Sequence, residues 1–343
     1  MKKYLKIALV APPFGDTGGP EVVVQNLAQS LLELGQDVTL FAPADWKTPA
    51  KHIPTLEKSL WNMKDFKSQS EKVRRNFIVS SQIKILACQD DFDVIHVHSQ
   101  TYAYILAKNL TKPCIVSFHS KIPSDLFDQL RKTPAKLVSL SNYQRGKLKT
   151  DATIYNGIPT NRISPSFKPG KYLISIGRLS DQKGIDIAIK IALRAKQKLI
   201  FFGRIGNTKK RQGYFNKKIK PYIDNKQIIY KREVSHEKIY EYLREASALI
   251  FSLRKPEVCP MVVLEALACG TPVIGTKISP LPEIFKGSQN KGVAYLSDNL
   301  ASLSRTAKNT GQFDRKKCRL FAEKYFDSKI MAQKYLDLYR KNL

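Results

Sequence analysis

Residues 248–275 read ALIFSLRKPEVCPMVVLEALACGTPVIG. An apolar run, a polar break at Pro256 and Glu257, an apolar helical pattern and a second apolar run predict strand, helix, strand. The apolar runs are continuous rather than alternating, which marks strands buried on both faces of a parallel sheet. The same order extends upstream. KYLISIG, KLIFFG and QIIY read as strands, with GIDIAIKIALRAK, a basic segment and SHEKIYEYLREA as the helices between them. In the N-terminal half YLKIALV and DVTLFA flank the helical pattern EVVVQNLAQSLLEL, which ends at Gly35. FDVIHVH, CIVSFH and KLVSL follow as further strands. NGIPTNRISPSFKPG has the composition of a linker, with three prolines and mostly polar residues. The expected fold is α/β: two doubly wound, Rossmann-like domains facing each other across a cleft. The first covers residues 1–160 and the second 161–325. A terminal helix over 326–343, signalled by SKIMAQKYLDLYRKN, packs back on the first.

The chain has 343 residues and 43% hydrophobic content, enough for two cores. Its apolar runs are strand-sized, well short of the roughly 20 residues that span a bilayer. The start, MKKYLKIALVAPP, has the lysines of a signal peptide, but Lys6 and the Pro-Pro pair break it and no small-x-small site follows. It reads as a first buried strand. Five cysteines, with no Cys-x-x-Cys spacing, indicate neither a disulfide framework nor a zinc site and suggest a reducing cytoplasm. The net charge of +29 is uneven. Residues 161–343 hold 37 Lys and Arg against 15 acids, and 190–232 hold fourteen against Asp224 alone. Such a face attracts phosphorylated substrates, anionic lipid or nucleic acid, or is simply solvated.

Open parallel sheets bind ligands beyond the carboxyl ends of their strands. Gly18 and Gly19 follow the first strand and precede a helix, which suits backbone approach to an anion. His96 and His98 share one face of a strand, and His119 ends CIVSFH; no nearby carboxylate or cysteine completes a metal site. Arg178 and Lys183 follow the first strand of the second domain, a fork and an ammonium suited to a diphosphate. Glu257 follows ALIFSL, and Glu265 lies on a helix beginning near Pro260. Their eight-position spacing, just over two turns, puts Glu265 about 12 Å of axis from a residue at the helix start. The two carboxylates read as grips on one elongated ligand, with the free amides of the helix start, at Met261 and Val262, facing phosphate.

PPFGDTGGPE, DVIHVHS, IVSFHS, YNGIP, SIGRLSDQKG and PEVCPMVVLEALACGTPVIGTKISPLPEIF together resemble the retaining glycosyltransferases of family 4, which have the GT-B fold. The resemblance covers nearly the whole chain, and its most specific element is the Glu-x7-Glu pair with EALACGTPVI. It implies a nucleotide-sugar donor, a UDP-sugar or GDP-sugar, in the C-terminal domain. The acceptor, a carbohydrate, lipid-linked or small molecule, is implied for the N-terminal one. Arg178 and Lys183 then hold the diphosphate, Glu257 the transferred sugar and Glu265 the ribose. Gly18 and Gly19 lie near the phosphates or acceptor, and His119 near the sugar. Asn156 and Gly157 match the interdomain NG element. No metal or other cofactor is implied, in keeping with the missing Asp-x-Asp motif. Family members usually carry Phe-Gly where this chain has Cys259-Pro260, so the donor is left open, with a UDP-hexose first and GDP-mannose next. A phosphorylase or sugar-nucleotide epimerase of the same fold, and a basic nucleic-acid-binding protein, are the rival readings. Tyr214, Phe215, Tyr222 and Tyr230 interleave the basic stretch, but no nucleic-acid motif is present. Specific nucleic acid is therefore not expected. An anionic membrane surface, met from the cytoplasmic side, is the expected partner of the basic half.

Overall fold

Strand β1 (Lys6–Val10) lies inside the first sheet, with β2 (Asp37–Ala42) and β4 (Val94–Val97) on its two sides. Beyond them lie β3 (Lys51–Pro54) on one edge and β5 (Cys114–Ser117), β6 (Lys136–Ser139) and β7 (Ala152–Thr153) on the other. The order is β3-β2-β1-β4-β5-β6-β7, and every pairing is parallel. The structure is a computed structural model that describes residues 4–15, 19–66, 68–99, 102–286 and 291–343. The second sheet is built from β8 (Tyr172–Ile176), β9 (Leu199–Phe202), β10 (Ile228–Lys231), β11 (Ala246–Phe251), β12 (Val273–Gly275) and β13 (Ala294–Leu296). Its order, β10-β9-β8-β11-β12-β13, is again wholly parallel. In each sheet the strand order reverses beside the first strand, between β1 and β4 and between β8 and β11. Those are the topological switch points, where such folds open a ligand crevice.

The chain divides into one unit of residues 1–159 with 327–343, and another of 160–326. In the first unit the helix Gly19–Glu33 turns Val23, Val24, Leu27, Ala28 and Leu31 into the core at helical spacing. It ends at Gly35, whose φ of 75° allows the amides of Gly35 and Gln36 to reach the carbonyls of Leu32 and Leu31. The terminal helix Ser328–Lys341 packs on that helix, with Ser328 and Ser30 hydroxyls 2.8 Å apart.

The NGIPTNRISPSFKPG segment is not the loose linker that its composition suggests. Asn156, Ile158, Thr160 and Ile163 are buried. In the first unit Ile158 accepts a hydrogen bond from the Ser328 amide, and a Cβ on Gly157 would come within 2.6 Å of Ser328 Cα. In the second, Arg319 donates to the Thr160 and Ile163 carbonyls. Gly157 serves close packing here rather than freedom. Strands β3 and β13 had no sequence signal: Lys51–Pro54 lacks an apolar run, and Ala294–Leu296 is too short to show a period.

A buried polar network ties the terminal helix to the sheet. His96 Nδ1 meets the Tyr339 hydroxyl at 2.7 Å and its Nε2 the Ser117 hydroxyl at 2.8 Å, and Ser117 also meets Tyr335 at 2.8 Å. Beside it the His98 ring lies 3.9 Å from that of His96, with Nδ1 2.9 Å from His119 Nε2. Burial holds His96 and His98 well below the usual histidine range and pushes His119 down to about 4. All three are therefore neutral at physiological pH. Unfolded, each would take a proton near pH 6.5, so the unfolded chain binds more protons as pH falls from about 6.5 towards 4. Stability contributed by these rings is complete above pH 6.5 and declines through that window. Urea midpoints measured from pH 7.5 to 4 should show this decline, and His98→Asn should make the slope shallower. An unchanged slope in the variant contradicts the assignment.

Candidate functional site

The loop after β8 and the loop after β11 meet at the carboxyl end of the second sheet. Gly184 opens the helix Ile185–Ala195 with φ of 62°, and a Cβ there would lie 1.8 Å from the Ser252 carbonyl oxygen. Only glycine fits both the dihedral and the approach. Ser252 Oγ donates to the Gly184 carbonyl at 2.8 Å, and the Arg254 amide donates to the Gln182 carbonyl at 2.9 Å. The Arg254 guanidinium then grips the Asp186 carboxylate through both nitrogens, at 2.7 and 2.5 Å, and reaches the Asp181 carbonyl at 3.1 Å. Burial alone would raise the Asp186 carboxyl, but hydrogen bonds from Arg254 and Tyr214 outweigh it and hold it below its usual range. Arg254 and Asp186 were not recognised from the sequence. Arg254 falls just past a strand end, the position rule used for its neighbours, but nothing local names Asp186 as its partner.

This clamp fixes Lys183. Its ammonium forms an ion pair with Glu257, each side chain being only 15% exposed, and lies 5.6 Å from the centre of the Phe251 ring. The Glu257 amide is anchored on the Ser279 carbonyl at 3.0 Å. Arg178 stands exposed just beyond β8, with no hydrogen bond or ion pair to its guanidinium among the described residues. Together the two loops hold Arg178, Lys183 and Arg254, with Asp186 taken up by Arg254 and Glu257 by Lys183.

Glu257 precedes the helix rather than belonging to it. The helix runs Met261–Ala268, and Pro260 occupies the capping position, not the first helical one. Glu265 thus lies only four residues, about 6 Å of axis, from the helix start; the 12 Å spacing would need helix from Glu257 onward, and residues 257–260 are not helical. Pro260 offers no side-chain oxygen, so it caps neither of the leading amides at Met261 and Val262. Glu265 is 4% exposed, and its Oε1 accepts no hydrogen bond among the described residues; His236 Nδ1 stands 3.6 Å away. A buried carboxylate oxygen in that state is ready to receive a donor.

In the other unit Gly19 opens its helix with open space where a Cβ would stand, and Gly18 lies outside the described residues. Asn156 is buried after β7. His119, half-buried after β5, presents a neutral ring whose Nε2 is engaged by His98. Both nitrogens of His96 are bonded to hydroxyls, which makes it a structural residue.

A cavity of about 800 Å³ lies at the opposite, amino-terminal end of the second sheet, lined by Gly170, Ser247, Pro272 and Lys316 among others. None of the candidate residues touches it, and helix N-termini converge at the carboxyl end instead. The basic face is exposed at Lys209, Lys210, Lys217, Lys218 and Lys220, none ion-paired among the described residues. Asp224, the one acid there, is occupied by the amides of Lys226, Gln227 and Ile228. The interleaved aromatics mostly pack: Tyr214 donates to Asp186, and Tyr230 lies against Phe201 and Phe215. Only Tyr222 is exposed, so no row of stacking rings is available to bases. Among the described residues no helix is long and apolar enough to cross a membrane.

The chain is 24% identical over 314 residues to an uncharacterised glycosyltransferase of Methanocaldococcus jannaschii, covering 83% of each. Its fold is similar to that of AviGT4, a glycosyltransferase involved in avilamycin A biosynthesis, at a TM-score of 0.75 and 23% identity, over 98% of this chain and 97% of that one. It is also similar to Anabaena HepE, solved with UDP-glucose, at a TM-score of 0.72 and 15% identity, over 98% and 100%. The family model for Glycosyltransferase Family 4 matches residues 17–162, and that for glycosyl transferases group 1 matches 159–309. With both halves matched in succession, and two parallel sheets of GT-B type, the chain belongs to the group 1 glycosyltransferases.

Proposed function

We propose that the protein transfers a sugar from a nucleoside-diphosphate sugar to an acceptor hydroxyl, with retention at the anomeric carbon. The observation that carries this reading is the Lys183–Glu257 pair, a cation and a carboxylate held together on the clamped loops. A diphosphate arriving there takes Lys183 as its counter-ion, with Arg178 as a second, and frees Glu257 to accept hydrogen bonds from the sugar's hydroxyls. The Met261 and Val262 amides, at the positive end of their helix, complete the anion site. Glu265 receives the ribose hydroxyls on its unbonded oxygen. As the bond from C1 to the phosphate oxygen breaks, negative charge gathers on the leaving diphosphate, and the fixed cations stabilise it. The acceptor oxygen bonds to C1 on the same face, and its proton passes to the departing phosphate oxygen. In the first unit the uncharged ring of His119, with Gly19 and Asn156, remains the candidate set for contacts with substrate. UDP-hexose is the preferred donor, supported by the UDP-glucose bound to HepE, and GDP-mannose is next. The setting is bacterial-type glycan, glycolipid or cell-envelope synthesis in the cytoplasm.

Glu257→Ala should lower kcat by about 100-fold while nucleotide affinity stays near wild type, because its partner is the sugar. Lys183→Ala should damage both, since the diphosphate is bound in the ground state and gains charge in the transition state. Steady-state kinetics with titration of UDP and GDP separates the two, and near-wild-type turnover in Glu257→Ala refutes the reading. Donor hydrolysis should also survive EDTA, because side-chain cations and helix amides do the work of a metal. Loss on chelation, restored by one equivalent of Mn²⁺, would contradict this.

The acceptor surface is inferred to be an anionic membrane. A donor diphosphate needs few cations, yet the exposed lysines of 209–220 have no acidic partners among the described residues. Each contributes about 1 kcal/mol near an anionic bilayer. Sedimentation should show binding to anionic but not neutral liposomes at low salt and release at high salt. Equal binding to both, or to neither, excludes the membrane.

A further inference from the structure

Trp61 is the most exposed aromatic residue among those described, at 55%, and its loop is built to hold it there. Its amide donates to the Phe14 carbonyl and that of Leu60 to the Pro13 carbonyl, both at 2.9 Å, which joins the loop beyond β3 to the one leaving β1. On the other side Asp45 accepts from the Ser59 amide at 2.9 Å, the Ser59 hydroxyl at 2.7 Å and the Asn62 amide nitrogen at 2.8 Å. Trp46 Nε1 donates to the same hydroxyl at 3.2 Å. The residue is thus anchored at its backbone on both flanks while more than half of it stays exposed. Phe14, half-buried, lies 6.1 Å from it at an angle of 60°, so one ring makes a floor and the other a wall. Gly15 runs close by, where an added Cβ would lie 3.7 Å from Trp61 Cδ1. Isolated surface apolar side chains need no explanation. A rigid two-ring corner at the carboxyl end of a doubly wound sheet does, because that is where such sheets take ligands.

We propose that Trp61 and Phe14 form the subsite that stacks a pyranose ring of the acceptor, a carbohydrate acceptor being the occupant. A pyranose offers an apolar face of C–H groups and a rim of hydroxyls. The C–H groups meet the electron-rich face of the indole. Exposed Lys64, three positions along the chain, is available to the hydroxyl rim. A flat alkyl chain would gain only from area, whereas the angled corner matches a ring of limited width. The assignment of the sugar to the acceptor rests on the glycosyltransferase reading above; the stacking itself does not.

The chain has two tryptophans, and Trp46 is buried, so acrylamide quenching reports Trp61 selectively. Quenching of the full chain is measured against a panel of methyl hexosides and N-acetylhexosaminides, with sorbitol as an acyclic control. At least one pyranoside should shield Trp61 while sorbitol does not. Isothermal titration of that pyranoside should weaken about tenfold or more in Trp61→Ala and much less in Trp61→Phe. The melting-temperature rise given by UDP or GDP should be the same in wild type and Trp61→Ala. A panel that leaves quenching unchanged, or full affinity in Trp61→Ala, overturns the subsite. A smaller nucleotide shift in Trp61→Ala places the rings on the donor side and overturns the acceptor assignment. Sugar shielding with no nucleotide shift in wild type supports the subsite and rejects the donor reading alone.

Discussion

The contact between the Gly184 backbone and the Ser252 carbonyl sets the geometry of the second unit's site. Two loops that leave different strands approach so closely that a single methyl group would separate them. Arg254 closes the same approach with charge, bridging to the Asp186 carboxylate at one end of the loop and to backbone carbonyls at the other. A fork of this kind restricts both loops at little entropic cost, because the guanidinium is planar and preorganised. Lys183, between these anchors, can then hold its ammonium against Glu257 in a nearly buried pair. Such a pair contributes little to stability by itself, since desolvation offsets most of the attraction. In the proposed reaction a phosphate takes the ammonium, and the released Glu257 carboxylate turns to the sugar's hydroxyls.

The first unit solves a different problem. Its terminal helix comes back after more than 160 intervening residues and must be registered on the sheet. Apolar packing alone would tolerate sliding, whereas the tyrosine hydroxyls of 335 and 339 demand specific partners at Ser117 and His96. Buried hydrogen bonds specify position because leaving them unmade is costly. The histidines stay neutral under the same burial, so acid that protonates them weakens the network.

The basic face shows the opposite economy. Asp224 is engaged by three backbone amides, so it shapes a turn rather than neutralising lysines. Three of the four aromatic residues in that stretch are likewise engaged in packing, which removes the stacking surface a single-stranded nucleic acid would use. What remains exposed is charge with little apolar area, a pattern suited to a diffuse anionic surface more than to a shaped partner.

By itself the sequence determined the parallel α/β architecture, because continuous apolar runs separated by helical periods have few other solutions. It also placed Lys183 and Glu257 just past strand ends, and marked the group 1 glycosyltransferase family through EALACGTPVI and its companions. It did not show the close packing of Gly157 within the linker, and it misjudged the separation of Glu257 from Glu265, where residues 257–260 are not helical. It was silent on the Arg254–Asp186 clamp, on the partners of His96, and on β3 and β13. The physical reason is range. Propensity and periodicity act over a few residues, whereas a side-chain partner 68 positions away, as between Arg254 and Asp186, is decided by strand order and by which loops the sheet brings together.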